Sequence, residues 1–307
     1  MRVISRRTTA RGVALFAALA TVAVIAAGGS AAPPGKVPRL VFPVVGPVTY
    51  QDDFGEQRAK WPHPGNDLLA PRRAIAVAAE AGKVRFWTTS ATAGCMLYLY
   101  GQSGTSYQYI HLNNDLGAGN DNRGKCVSGT AYVPGLVDGA SVEAGQPLGF
   151  VGDSGDANGI HPHLHFEVHP ADGQPVDPYP YLRKAVHLLF AADPTTTVSI
   201  TAEGIVTATA GSRLTLRITS IVVFPLALKL QKLGRPLVLG VPGGAQLDTG
   251  SGSVETPDAA ALESLVGKNV VVLTEPTPAT LSVALFRPGA LSASRIAVGP
   301  TPSLSGP

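Results

Sequence analysis

Cysteine, methionine and tryptophan each occur only twice in the 307 residues, and charged residues make up 15%. The two cysteines, Cys95 and Cys126, lie far apart. That separation excludes the close cysteine pairs from which sulfur-ligated metal sites are built. The longest apolar run, residues 13–27, is shorter than the roughly 18 residues expected of a membrane-spanning helix. A surplus of positive charge is missing too, although the pI is about 8.9. The first 32 residues hold Arg2, Arg6, Arg7 and Arg11 and no acidic residue. Without those four arginines, 20 basic residues stand against 21 acidic ones. The basicity belongs to a targeting segment, and nothing argues for nucleic acid as a partner.

What is present falls into a clear order along the chain. Residues 1–32 have a basic start, an apolar run and small residues around Gly28-Gly29-Ser30-Ala31-Ala32, which is the pattern of a secretion signal. The expected location is therefore secreted or in the cell envelope; left uncleaved, the same segment would serve as a membrane anchor. In that oxidising compartment the two cysteines are expected to form a disulfide. Residues 33–39 read as a linker. Residues 40–190 carry short β-patterned runs at 76–79, 83–87, 95–100, 106–111, 147–151 and 163–168, punctuated by Gly, Pro, Asp and Asn. Such spacing predicts an antiparallel all-β domain. Residues 115–138 are rich in Gly and Asn and read as a surface insertion beside a binding groove.

A short helix is expected over 183–190. Residues 191–298 form a second, mainly β domain, with strands at 213–219, 270–273 and 281–286 and a capped helix at 259–266. Residues 299–307 read as a disordered tail. No feature of the sequence specifies an oligomer.

All seven histidines occur at or before His187, and four lie between His161 and His169. His163-Leu164-His165 puts two imidazoles on one face of a strand, because side chains alternate with period two. His63 and Asp67 flank a glycine, and Tyr109-Ile110-His111 ends a predicted strand. A catalytic zinc site needs three nitrogen or oxygen ligands and one open position. Two histidines and a carboxylate satisfy it, leaving other histidines to move a proton or to steady developing negative charge. Each pattern alone is ordinarily structural. Together, in an exported domain, they point to metal-assisted hydrolysis, but spacing does not select among the ligands.

At these residues the sequence resembles the M23 peptidases, the lysostaphin/LytM type. Leu40-Val41-Phe42-Pro43-Val44-Val45-Gly46 is similar to the family's opening strand, and Phe54-Gly55 to its first turn. His63 to Asp67 matches His-x-Gly-x-Asp, Ala81-Gly82-Lys83-Val84 the Gly-x-Val strand, and Tyr109 to Leu112 the Tyr-x-His-Leu motif. The stretches 142–149 and 152–157 resemble the glycine-rich approach to His-Leu-His-Phe-Glu, here His163 to Glu167, with Pro175-Val176-Asp177-Pro178 trailing. The resemblance spans roughly residues 40–183.

It implies an all-β, LytM-like fold with one Zn2+ held by His63, Asp67 and His165. It further implies His111 and His163 as the catalytic pair, and peptide bonds of peptidoglycan as substrate. Glu167 is expected to orient its neighbours, and His161 to sit at the rim; His169 and His187 are read as exposed or packed. The alternative is a non-catalytic wall-binding or hydrolase-activating module; inactive relatives ordinarily lack a ligand, and here none is missing. Two departures stand out. Arg72-Arg73 occupies a turn that is small in the family, which would alter a groove wall. The insertion carrying Cys126 follows His111 directly, which would let it cover the cleft.

Overall fold

In a computed structural model, the described residues are 36–299, except 60, 232 and 251–253. The expected signal segment, the start of the linker and the tail beyond residue 299 lie outside them.

Period-two burial organises both halves of the chain. In the first, eight strands form in order: β1 (Asn66–Leu69), β2 (Ile75–Val77), β3 (Gly82–Ser90), β4 (Gly94–Gly101), β5 (Ser106–Leu112), β6 (Ser141–Val142), β7 (Pro147–Phe150) and β8 (His163–His169). Six of them make an antiparallel sheet in the order β1-β8-β5-β4-β3-β6, while β2 and β7 pair separately. Leu97, Leu99, Tyr107, Tyr109, Leu164, Phe166 and Val168 bury one face of the sheet in a core shared with Phe42, Leu68 and Tyr132. The alternate residues of β8, β5, β4 and β3 face the other way and form the floor of a groove.

In the second half, β9 (Thr197–Ala210) and β10 (Arg213–Phe224) are long strands whose in-out alternation is interrupted by bulges near Thr215 and Thr219. They centre a nine-stranded sheet that is antiparallel except where Gln246–Asp248 runs beside Ala293–Val298. Val198, Ile200, Leu214, Leu216, Val270 and Val272 fill its core, and Val41, Val77, Leu188 and Phe190 reach the same core from the first half. The architecture is all-β with antiparallel sheets, as the sequence patterning predicts.

Two local expectations are corrected. The stretch 183–190 is not a helix: Val186 exchanges backbone hydrogen bonds with Leu40 and Phe42, and Leu188 and Phe190 sink into the second core. Long-range pairing overrides the helical pattern there. A one-turn helix, α1 (Tyr179–Leu182), precedes it instead. Nor is 281–286 a strand: Leu281–Ala284 forms a helical turn, with the Thr280 hydroxyl accepting from the Val283 N–H at 3.4 Å. A short apolar run carries no periodicity long enough to separate strand from helix. The helix expected over 259–266 is present as Ala259–Glu263, capped by Asp258, whose carboxylate accepts from the Ala261 N–H at 2.7 Å.

Cys95 and Cys126 form a disulfide across 31 residues of chain. It ties the insertion to β4. The insertion also buries Ala131, Tyr132 and Leu136 against the core face, where the Tyr132 ring stacks on Phe86 at 3.7 Å.

Candidate active site

Strand register assembles the first group of side chains. In the β1–β8 pair, Asp67 stands opposite His165 and Leu69 opposite His163. His63 comes from the turn before β1, which is held by the Gly55 N–H donating to the His63 carbonyl at 2.8 Å. The glycine between His63 and Asp67 has a steric reason. A Cβ on Gly65 would lie 2.5 Å from the Phe166 carbonyl oxygen and 2.9 Å from His165 Nε2. Only a residue without a side chain lets this turn approach β8 so closely.

His111 reaches the same space by a different device. Ile110 pairs with His165, so simple alternation would send His111 to the core face. Between Leu97↔Tyr109 and Cys95↔Leu112 the strand β5 takes one more residue than β4, which is a β-bulge. Within it His111 adopts φ 61°, the left-handed region that non-glycine residues rarely occupy. The bulge turns the ring into the groove, where its centroid lies 5.0 Å from that of His163.

Each ring is fixed by its outer nitrogen. Nδ1–H of His63 donates to the Asp53 carbonyl at 2.9 Å, that of His111 to the Ser154 carbonyl at 2.8 Å, and that of His163 to the His161 carbonyl at 2.9 Å. His165 donates Nε2–H to Glu167 Oε1 at 3.1 Å, and the other Glu167 oxygen accepts from His169 Nε2–H at 2.6 Å. These partners fix the outer nitrogens, so His63, His111, His163 and His165 each turn the other nitrogen to the groove, where it can meet a metal or a proton.

Three inward atoms converge. His63 Nε2 lies 2.8 Å from His165 Nδ1 and 3.1 Å from Asp67 Oδ1, and the last two are 3.0 Å apart. Two nitrogen lone pairs and a carboxylate oxygen at such distances repel unless a cation stands among them. The triangle is slightly tighter than the roughly 3.3 Å between neighbouring ligands of a tetrahedral ion with zinc-like bonds. The residues therefore fit a zinc ion.

The electrostatics carry the same demand for positive charge. Burial works against a charged His165, yet the hydrogen bonds to Asp67 and Glu167 raise its pKa to about 9. Burial likewise opposes charge on Asp67, but His165 and His63 hold its carboxyl far below the usual range. Hydrogen bonds from His165 and His169 overcome burial to lower Glu167 as well. His111 goes the other way: burial first, then the neighbouring His163 and His165 rings, push it down to about 4. Its ring is neutral at physiological pH.

The groove measures about 670 Å³ and is lined by His63, Asp67, His111, His163 and His165 together with Trp61, Trp87, Met96, Tyr98, Ile110 and Asp156. All five residues singled out in the sequence thus share one space. His161 is exposed, next in sequence to the groove-lining Ile160, and His187 is packed on Phe42 at 4.3 Å. His169, expected to be idle, holds Glu167.

Other contributors carried little sequence signal. Asp53 is buried; its carbonyl fixes His63 and its carboxylate accepts from the Asn66 side chain at 2.5 Å. Arg58 donates to the second oxygen of Asp67 at 3.0 Å. A backbone carbonyl is the same in every residue type, so the partners of His63, His111 and His163 could not be read from residue identity.

Neither departure alters the groove wall as expected. No residue of the insertion lines the groove. Arg72 points away from it and bridges two fully buried carboxylates, Asp115 of the insertion and Asp153 before β8. The insertion therefore packs behind the site.

Residues 130–178 match the family profile described as "Peptidase family M23". Among solved structures, the chain is similar to a putative peptidase M23 from Pseudomonas aeruginosa (24% identity, covering 50% of this chain and 53% of that one, TM-score 0.34). It is similar to a putative glycyl-glycine endopeptidase lytM from Ruminococcus gnavus (22% identity, 49% and 63%, TM-score 0.37). It is also similar to the catalytic domain of the antimicrobial peptidase lysostaphin from Staphylococcus simulans (22% identity, 44% and 92%, TM-score 0.35). The chain spans less than two thirds of the length of the first two. The profile match contains His163, His165 and Glu167 in their expected order, and over residues 130–178 the chain is similar to peptidase family M23.

Proposed function

We propose that the protein is an exported zinc metalloendopeptidase that hydrolyses peptide bonds of bacterial peptidoglycan. The observation that carries this reading is the convergence of His63 Nε2, Asp67 Oδ1 and His165 Nδ1 beside two further imidazoles with free inward nitrogens. His63, Asp67 and His165 would hold the metal. Zinc, when bound, supplies a Lewis acid and makes water acidic enough to react near neutral pH.

The chain's own groups handle the rest. As water oxygen bonds to the scissile carbonyl carbon, the neutral His111 accepts the displaced proton at Nε2. His163, whose Nε2 lies 3.7 Å from Asp67 Oδ1, shares this task and steadies the negative charge that builds on the carbonyl oxygen. When the carbon–nitrogen bond breaks, the proton held by the pair passes to the departing amine, restoring the neutral ring and leaving a carboxylic acid that gives up its remaining proton to solvent. The Asp53, Ser154 and His161 carbonyls and the Glu167 carboxylate keep the four imidazoles in place throughout, so little reorganisation accompanies the reaction.

The test is digestion of purified peptidoglycan, with mass spectrometry of the released fragments and a chelator control. New amine and carboxyl ends that disappear with chelator are expected. Intact material in the presence of one equivalent of bound zinc would overturn the peptidase reading.

A further inference from the structure

The chain has only two tryptophans, and both line the groove. Trp61 is 57% exposed on the rim beside His63, and Trp87 is 46% exposed on β3. Large aromatic rings are normally well buried, and a cluster left in water marks a recognition surface. Trp87 does not stand alone. It meets Tyr98 edge-on at 6.3 Å, and Tyr98 stacks with Tyr100 at 6.0 Å and 12°. The alternation that turns Leu97 and Leu99 into the core turns Tyr98 onto the groove floor and Tyr100 onto the same face of the sheet beyond it. The indole N–H of Trp87 and the hydroxyls of Tyr98 and Tyr100 have no hydrogen-bond partner among the described residues. The row therefore offers flat apolar faces edged by unused polar groups.

We propose that Trp87, Tyr98 and Tyr100 form a glycan subsite, on which a sugar ring of the peptidoglycan backbone stacks while the attached peptide crosses the histidine site. This inference rests on the peptidoglycan reading above. A pyranose matches the row because one face of the ring is a patch of C–H groups and its edge is a belt of hydroxyls and amides. A peptide alone would be met better by charged groups or open backbone donors, which these three side chains do not supply. The spacing agrees. Trp87 lies three strands from His163, about 14 Å across a sheet. An extended peptide covers that distance in about four residues. A stem peptide joins its glycan within a few residues, so a sugar reaches the row when the peptide lies over the histidines.

The experiment titrates the zinc-loaded full chain with a peptide-free N-acetylglucosamine oligosaccharide. The emission of Trp87 is followed in a W61F background, where it is the sole tryptophan. Affinity is measured independently by calorimetry on W87A and Y100A, both changes at exposed positions. Saturable binding is expected, weakened on the order of tenfold or more by W87A, with zinc content unchanged. Sacculus digestion should fall in Y100A, whose side chain lies outside the histidine groove, while cleavage of a short glycan-free peptide stays as it was. Absence of saturable binding at millimolar sugar, or equal affinity in W87A, overturns the subsite. So does a glycan-free stem peptide that alone quenches Trp87. Sugar binding needs no hydrolysis. Failure of the peptidase reading appears instead as bound zinc and bound sugar without cleavage.

Discussion

Replacing Cys126 with serine removes the disulfide cross-link between the insertion and β4, and its cost follows from chain length. The bond closes 31 residues. In the chain-entropy treatment a loop of that size restricts the unfolded chain by about 12 cal/mol/K, or about 3.7 kcal/mol at 25 °C. The native state pays little in return when the bond is lost. Cys95 is buried and packs as a small apolar residue, and Cys126 is only partly buried. The insertion stays docked through Tyr132 and through Asp115 on Arg72. C126S should therefore lower unfolding stability by roughly 3–4 kcal/mol, with a somewhat steeper denaturant slope because the uncross-linked unfolded chain exposes more surface. In heating, that corresponds to a drop of roughly 7–15 °C for a unit of this size. Paired urea titrations of the oxidised protein and C126S measure it, with zinc stoichiometry recorded on both. Because the insertion lies behind the groove, metal content should hold. A loss below about 1 kcal/mol would refute the entropic reasoning, and loss of zinc would refute the placement of the insertion.

The remaining expectations concern the site. His165→Ala should abolish both zinc retention and turnover, whereas His163→Ala should keep one zinc and lose on the order of 10²–10⁴ in kcat; elemental analysis beside digestion separates the two. Gly65→Ala puts a methyl against the Phe166 carbonyl and the His165 ring. It should weaken zinc binding by roughly tenfold to a hundredfold in a competition titration, and unchanged affinity would show that the turn can back away. Arg72→Ala leaves Asp115 and Asp153 buried without their cation. A loss of about 3–5 kcal/mol in unfolding stability is expected, checked by denaturant titration; a loss under 1 kcal/mol would mean water reaches the pair.

Much of this site was legible in residue types and spacing. His163 and His165 share a face because a strand alternates, and the same rule sets Leu164 and Phe166 into the core. The signals failed where local pattern met long-range pairing. Residues 183–190 gave up a helix because their backbone bonds to residues 40–42. His169, read as idle, became the second partner of Glu167 once β8 met the 173 turn.

What the sequence by itself determined is the all-β class, the alternation of each strand and the inventory of donors: four imidazoles, a carboxylate and the glycine that must lie between His63 and Asp67. These follow from side-chain chemistry and from backbone geometry that extends over a few residues. The convergence of the donors was decided by tertiary structure. Strand register sets Asp67 opposite His165, a single extra residue in β5 turns His111 out of the core, and anonymous carbonyls select the tautomers. Those choices depend on partners up to about a hundred residues away, and on backbone groups that every residue shares, so no local reading contains them.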